Sequence, residues 1–117
     1  MTFFISLNLQ NYIKFMEVLI MNNFRNVNND ILRDWFLFRE DEIASLTCDE
    51  DKRHWVYFDE ISERILRNVS DKNKKYVQKQ LNVLDDNFLD YLGYWNEKYY
   101  RNGFCDTIEF IIGALNK

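Results

Sequence analysis

The chain has 117 residues, of which 47% are hydrophobic and 17% aromatic, and its formal net charge at pH 7 is −4. This length suits one folded domain with a hydrophobic core, and the apolar content argues against general disorder. The negative net charge argues against a protein whose whole surface binds nucleic acid.

Turn-forming residues are scarce, since the chain has three glycines and no proline. Folds rich in β-hairpins need both residue types at their turns. The sequence therefore predicts an all-α fold, a small bundle of four to five helices. Two cysteines are too few for a disulfide scaffold, so both thiols are predicted to be reduced in a cytoplasmic protein.

The first twenty residues are apolar in character but do not resemble a membrane anchor or a signal peptide. Polar residues interrupt every apolar run, and these are Asn8, Gln10, Asn11, Lys14 and Glu17. Codons for residues 16–18 can contain a ribosome-binding sequence just before Met21. Residues 1–20 are thus predicted to be either an upstream extension or an extra N-terminal helix, and residues 21–117 a single helical domain.

Two amphipathic helices are predicted next, over about 30–46 and 48–69. The first has Asn29 or Asp30 as its N-cap, and its apolar residues are Ile31, Leu32, Trp35, Phe36 and Phe38. The second begins with Thr47 and Glu50 in the spacing of a capping box. Its apolar stripe is Trp55, Phe58, Ile61, Ile65, Leu66 and Val69.

A long helix over about 71–101 and a final helix over 104–116 complete the chain. The long helix has one stripe, made of Tyr76 or Val77, Leu81, Leu84, Phe88, Tyr91 or Leu92, Trp95 and Tyr99. The final stripe, Phe104, Ile108, Ile111, Ile112 and Leu115, is rotated from it by roughly half a turn at about 100° per residue. A break at Gly103, in a left-handed conformation, and a C-terminal antiparallel helical hairpin are therefore predicted.

No catalytic residue, metal site or cofactor is predicted, and the chain is not expected to be an enzyme. His54 is the only histidine, and together with Cys48 and Cys105 it lacks the paired spacing that places zinc ligands. Glycine-rich phosphate loops, dinucleotide fingerprints and nucleophile elbows have no counterpart in the sequence.

Charge is segregated along the chain. Residues 40–63 contain nine acids and two bases, and residues 64–80 contain six bases and one acid. This separation favours electrostatic steering toward a partner or head-to-tail self-association, although each block could also be a solvated helix face. The predicted acidic partner-binding residues are Glu40, Asp41, Glu42, Asp49, Glu50 and Asp51.

The basic block gives an alternative function. Two predicted helices meet at residues 68–71, and a helix-turn-helix regulator would present Lys72, Lys74, Lys75 and Lys79 to DNA. The turn lacks glycine, the second helix is long, and the acidic remainder would repel phosphate.

Six aromatic rings lie in "YLGYWNEKYYRNGFCD", residues 91–106. Trp95 and Tyr99 belong to the predicted buried stripe, whereas Tyr94 and Tyr100 point away from it. Tyrosine supplies contact area at a small entropic cost, so these two are predicted to bind a partner or to form a homodimer seam.

The sequence thus predicts a non-catalytic protein that binds and modulates another protein, itself a candidate nucleic-acid binder. Residue types with AT-rich codons, small size, acidity and aromatic content fit an inhibitor encoded by a phage or plasmid, of the anti-defence or immunity type. In that hypothesis the acidic block imitates a nucleic-acid backbone toward a basic groove.

Overall fold

The computed structural model describes residues 2–116, with the side chains of residues 2–8, 17 and 20 excluded. The described chain forms five helices: α1 (Thr2–Arg25), α2 (Ile31–Ala44), α3 (Asp49–Arg53), α4 (Phe58–Arg67) and α5 (Asp71–Leu115). No strand occurs between residues 2 and 116, and the all-α prediction is confirmed.

The chain divides into two compact units. Unit 1 contains Met1–Phe38 and Trp95–Lys117, and unit 2 contains Arg39–Tyr94. Helices α2 and α5 each contribute residues to both units. Helix α1 continues past Met21 without interruption, and Met21 as the natural start remains a prediction.

Helix α2 begins as the sequence predicts. The Asp30 carboxylate accepts a hydrogen bond from the backbone N–H of Arg33 at 3.1 Å, which satisfies a donor that the first helical turn leaves without a backbone partner. Asp30 is therefore the residue, of the two candidates, that caps α2.

The single helix predicted over 48–69 is wrong, because α3 and α4 are separated by residues 54–57. The backbone N–H of His54 bonds to the carbonyl of Asp51, in the tighter pattern that often ends a helix. Three aromatic or β-branched residues with modest helix propensity follow it. The Tyr57 hydroxyl then donates to the carbonyl of Lys52 at 3.0 Å, which satisfies an acceptor at the end of α3.

The predicted break at Gly103 and the C-terminal hairpin are also wrong, since α5 is one helix from Asp71 to Leu115. Gly103 has no positive φ, and a glycine inside a helix costs only about 1 kcal/mol. The Asn102 side chain donates to the carbonyl of Lys98 at 2.9 Å and to that of Arg25 at 3.2 Å, which ties this turn to the end of α1. The offset between the two apolar stripes requires no break, because each half of α5 packs within its own unit.

The face of α5 that unit 1 buries differs from the predicted aromatic stripe. Glu97, Arg101 and Cys105, four residues apart, are buried, whereas Tyr99 is 73% exposed. The other buried residues of unit 1 with described side chains are Met21, Leu32 and Phe36. The stripe prediction fails at Tyr99 because a polar row of α5, and not its rings, meets the loop between α1 and α2.

In unit 2, α4 and the first half of α5 each have one row of less exposed positions. These are Phe58, Ser62 and Leu66 in α4, at four-residue steps, and Val77, Leu81, Asp85 and Leu92 in α5, at steps of four, four and seven residues. A turn of three residues, 68–70, joins the two helices. A turn of this length, with one half-buried row on each helix, favours an antiparallel pair in which α4 runs alongside the first turns of α5.

Candidate partner-binding surfaces

The polar centre of unit 1 is Arg101, whose side chain is 0% exposed. Its guanidinium donates to the Asp30 carboxylate through both terminal nitrogens, at 2.6 and 3.0 Å, and to the carbonyls of Phe24 at 3.0 Å and Asn28 at 2.7 Å. One side chain thereby joins the last turn of α1, the following loop and the N-cap of α2.

Glu97 lies one helical turn before Arg101 and contacts two guanidinium groups. Arg33 donates to it from Nε at 2.9 Å, and the Arg101 Nε lies 3.6 Å from its other oxygen.

These contacts shift the pKa values of the paired groups. The hydrogen bond from Arg101 is the main cause that lowers the pKa of Asp30. The hydrogen bond to Asp30 raises the pKa of Arg101, and the bond to Glu97 raises that of Arg33.

Arg25 extends this network along α5 toward the C-terminus. It donates to Asn102 at 3.0 Å and pairs with Asp106 at 2.8 Å and Glu109 at 2.9 Å. Hydrogen bonds to Asp106 and then Glu109 raise the pKa of Arg25. The network holds helices together and offers no nucleophile or acid–base pair, so we assign it a structural role.

Sequence analysis missed this network because its arginines are scattered among aromatic residues. The available signal was the row Glu97, Arg101 and Cys105 at four-residue steps, in a segment whose rings suggest a core. The carbonyls and carboxylate that Arg101 binds are more than 70 positions away, a separation that no local pattern reports.

The predicted acidic residues are all exposed and belong to unit 2. Three lie in the last turns of α2, and three form the first turn of α3; they are Glu40, Asp41, Glu42, Asp49, Glu50 and Asp51. The remaining acids of the block, Asp59, Glu60 and Glu63, are exposed on α4. Nine carboxylates therefore lie at the surface between residues 40 and 63.

Two acids of α3 have local roles. The Asp51 carboxylate accepts a hydrogen bond from the backbone N–H of Cys48 at 2.8 Å, and this bond lowers the pKa of Asp51. The capping pair of α3 is thus Cys48 and Asp51, one residue later than the predicted pair of Thr47 and Glu50. Glu50 instead contacts Arg53 at 2.8 Å and His54 at 3.0 Å.

The two tyrosines predicted to bind a partner lie in different environments. Tyr94 is exposed on α5 at the end of unit 2. Tyr100 is half-buried in unit 1, and its ring centroid is 5.3 Å from that of the buried Phe36. Tyr100 therefore contributes to packing in unit 1.

The four lysines of the DNA-binding alternative do not share one face of α5. At about 100° per residue, Lys72, Lys75 and Lys79 fall within a 60° arc, and Lys74 lies on another side of the helix. Lys74 contacts Asp71 at 2.9 Å. All four are exposed.

The cysteines and the histidine do not form a metal site. Cys48 and His54 are exposed in unit 2, and Cys105 is buried in unit 1, where burial raises the pKa of its thiol. Across the described residues, no group of three or more histidine, cysteine or carboxylate side chains is placed to hold a metal ion.

The described part of unit 1 has two apolar grooves. One has a volume of about 260 Å³ and is lined by Phe24, Ile31, Leu32, Trp35 and Phe104. The other has a volume of about 480 Å³ and is lined by Tyr99, Tyr100, Gly103, Phe104, Thr107 and Ile108. Small-molecule pockets typically have volumes of about 300–1,000 Å³ and contain a few convergent polar groups, which the lining of the first groove lacks. Within the described residues, none of the helices has the length and apolarity needed to cross a membrane.

Comparisons with known proteins return no match: no family model, curated protein or solved structure resembles this chain.

Proposed function

We propose that this protein is a non-catalytic modulator that binds a basic surface of another protein through the acidic surface of unit 2. The observation that supports this proposal is the exposure of nine carboxylates between residues 40 and 63, with only Lys52 and Arg53 as bases in the same segment. A field of one sign attracts an oppositely charged partner and accelerates its association.

The charge and exposure of the acids suit a basic groove that normally binds nucleic acid. Glu40, Asp41 and Glu42 end α2, and Asp49 lies in the first turn of α3. Glu42 lies 3.6 Å from Arg39, and within the described part of the chain the other three carboxylates form no ion pair. In this proposal they imitate a run of phosphates, and the chain acts in the cytoplasm as an inhibitor of the type encoded by phages and plasmids.

The test is a pull-down with the tagged full chain from a lysate of its source cells. We expect a captured protein that binds nucleic acid and that duplex DNA releases from the chain. The variant with Glu40→Gln, Asp41→Asn and Glu42→Gln should capture much less of it. A matched control, Glu40→Asp, Asp41→Glu and Glu42→Asp, keeps the charge and should capture as much as the wild type.

Two results would contradict the proposal. One is that the wild-type chain retains no protein that duplex DNA can displace. The other is equal capture by the amide variant and the wild type, because the binding would then not depend on these carboxylates.

The DNA-binding alternative is supported by one observation, the exposed arc of Lys72, Lys75 and Lys79 at the start of α5. The same side of α5 continues to Asp86 and Asp90, whose carboxylates would oppose phosphate. Binding of the wild-type chain to duplex DNA at low salt, lost on Lys75→Glu and Lys79→Glu substitution, would favour this alternative over the acidic surface.

A further inference from the structure

One side of the first half of α5 contains no charged residue. At about 100° per residue, eight positions between residues 71 and 94 fall within one 100° arc: Asn73, Tyr76, Gln80, Val83, Leu84, Asn87, Tyr91 and Tyr94. The same stretch contains eight charged residues, and all eight lie outside this arc. We refer to the eight uncharged positions as the neutral face of α5.

The neutral face is uncharged and exposed. Tyr76, Val83 and Leu84 are 68%, 55% and 59% exposed. It lies beside the half-buried row Val77, Leu81 and Leu92, and this row, not the neutral face, is the side of α5 that packs within unit 2. Exposed aromatic, aliphatic and amide side chains without charge are typical of the central part of a protein interface.

Helix α4 extends this surface. Ile61 and Ile65 are exposed. Viewed down the helix axis from the N-terminus, both lie counterclockwise of the half-buried row of α4, and the neutral face likewise lies counterclockwise of the half-buried row of α5. In an antiparallel pair, positions displaced in the same sense lie on the same side of both helices. Ile61, Ile65 and the neutral face therefore form one surface of the α4–α5 pair.

Charges along one edge of the neutral face show which partner fits it. Lys72, Lys79 and Asp86 follow one another at seven-residue steps, and Asp90 lies one turn further on. The edge is thus basic at its start and acidic at its end. When two copies meet antiparallel about the level of Val83, Lys79 of one copy lies near Asp86 of the other, and the contact occurs twice. A parallel arrangement would place the two edges on opposite sides of the contact, so these charges would not meet.

We propose that the protein forms a homodimer in which the neutral faces of two copies pack against each other in antiparallel orientation. A two-fold contact uses the same patch twice, so the patch must be complementary to itself. An uncharged centre with an edge that changes from basic to acidic meets this requirement. The dimer surface includes none of Glu40, Asp41 and Glu42, and the inference does not depend on the proposed function.

The area is sufficient for a dimer of modest affinity. The neutral face is roughly 33 Å long and α4 is roughly 15 Å long, at about 1.5 Å per residue, and each helix is about 10 Å wide. The two copies together thus cover about 1,000 Å², near the lower limit for a specific interface. A dissociation constant in the micromolar range is expected.

The test compares two leucines of α5 that are equally exposed, since Leu84 and Leu89 are both 59% exposed. Leu84 is on the neutral face, and Leu89 lies well outside it. Sedimentation velocity on the full chain, from about 1 to 200 µM, should show a dimer for the wild type and for Leu89→Asp. Leu84→Asp should weaken the dimer about 100-fold, because each dimer then places two carboxylates in the apolar contact.

Charge exchange tests the orientation without an apolar substitution. Lys79→Glu alone and Asp86→Lys alone should each weaken the dimer about tenfold, and both changes in one chain should restore it. A wild-type chain that is monomeric at every concentration overturns the proposal and assigns the neutral face to a different protein. Equal effects of Leu84→Asp and Leu89→Asp overturn it as well, and failure of the double exchange to restore the dimer excludes the antiparallel arrangement.

Discussion

Replacement of Arg101 by methionine should destabilise the protein strongly, because it removes the buried centre of unit 1. The guanidinium makes four hydrogen bonds, to Asp30 twice and to the carbonyls of Phe24 and Asn28. Methionine fills much of the space but leaves the carboxylates of Asp30 and Glu97 without this cation. Removing one partner of a buried ion pair typically costs about 3–5 kcal/mol.

That loss is large beside the free energy of unfolding of a small protein, which is about 5–15 kcal/mol. The expected fall in melting temperature is about 12 °C or more, at about 4–8 °C for each kcal/mol. Urea unfolding followed by far-UV circular dichroism measures the change. The matched control is Arg67→Met, since Arg67 is exposed and lies 3.9 Å from Glu63, and it should leave the urea midpoint almost unchanged.

A second variant identifies the cause of the loss. Adding Asp30→Asn to Arg101→Met removes the stranded negative charge and leaves the ion pair of Glu97 with Arg33 intact, so it should recover part of the stability. The reasoning is refuted if Arg101→Met destabilises by less than about 1 kcal/mol, or if the double variant is as unstable as the single one.

Three further predictions concern pH, helix continuity and the tyrosines. The pKa of Asp30 is lowered in the folded protein, so its contribution to stability is complete above the ordinary value of 3.8 and is lost as the pH falls through the lower folded value. The difference in urea midpoint between wild type and Asp30→Asn should therefore shrink below about pH 4. A difference that does not change with pH would contradict the ion pair. Gly103→Ala should raise the free energy of unfolding by about 0.5–1 kcal/mol, because a Cβ at this position meets no atom within 4 Å, and a loss of stability would instead indicate the left-handed turn. Tyr100→Ala should lower the melting temperature more than Tyr99→Ala, since Tyr100 packs on Phe36 while Tyr99 is 73% exposed, and equal melting temperatures would show that the ring contact adds nothing.

Several features were predictable because they depend on neighbouring residues. The absence of proline and the scarcity of glycine predicted an all-α fold, and Asn29 and Asp30 were the predicted candidates for the cap of α2, which the structure assigns to Asp30. The rotation between the two apolar stripes of α5 was also visible in the sequence. Helix propensity, capping and periodicity act within one or two turns, so the sequence alone determines them.

Other features required the tertiary structure. Whether α5 breaks at Gly103 depends on the partners of each half of the helix, and Asn102 is held by the carbonyl of Arg25, which is 77 positions away. Burial of Arg101 in place of Tyr99 depends on carbonyl groups that the loop between α1 and α2 presents to α5. The sequence by itself determined where helices could form and which residues could be apolar neighbours. Only the tertiary structure decided which face of α5 became buried. The reason is that leaving the buried carbonyls and carboxylate of a distant loop without hydrogen-bond donors costs more free energy than leaving aromatic rings exposed to water.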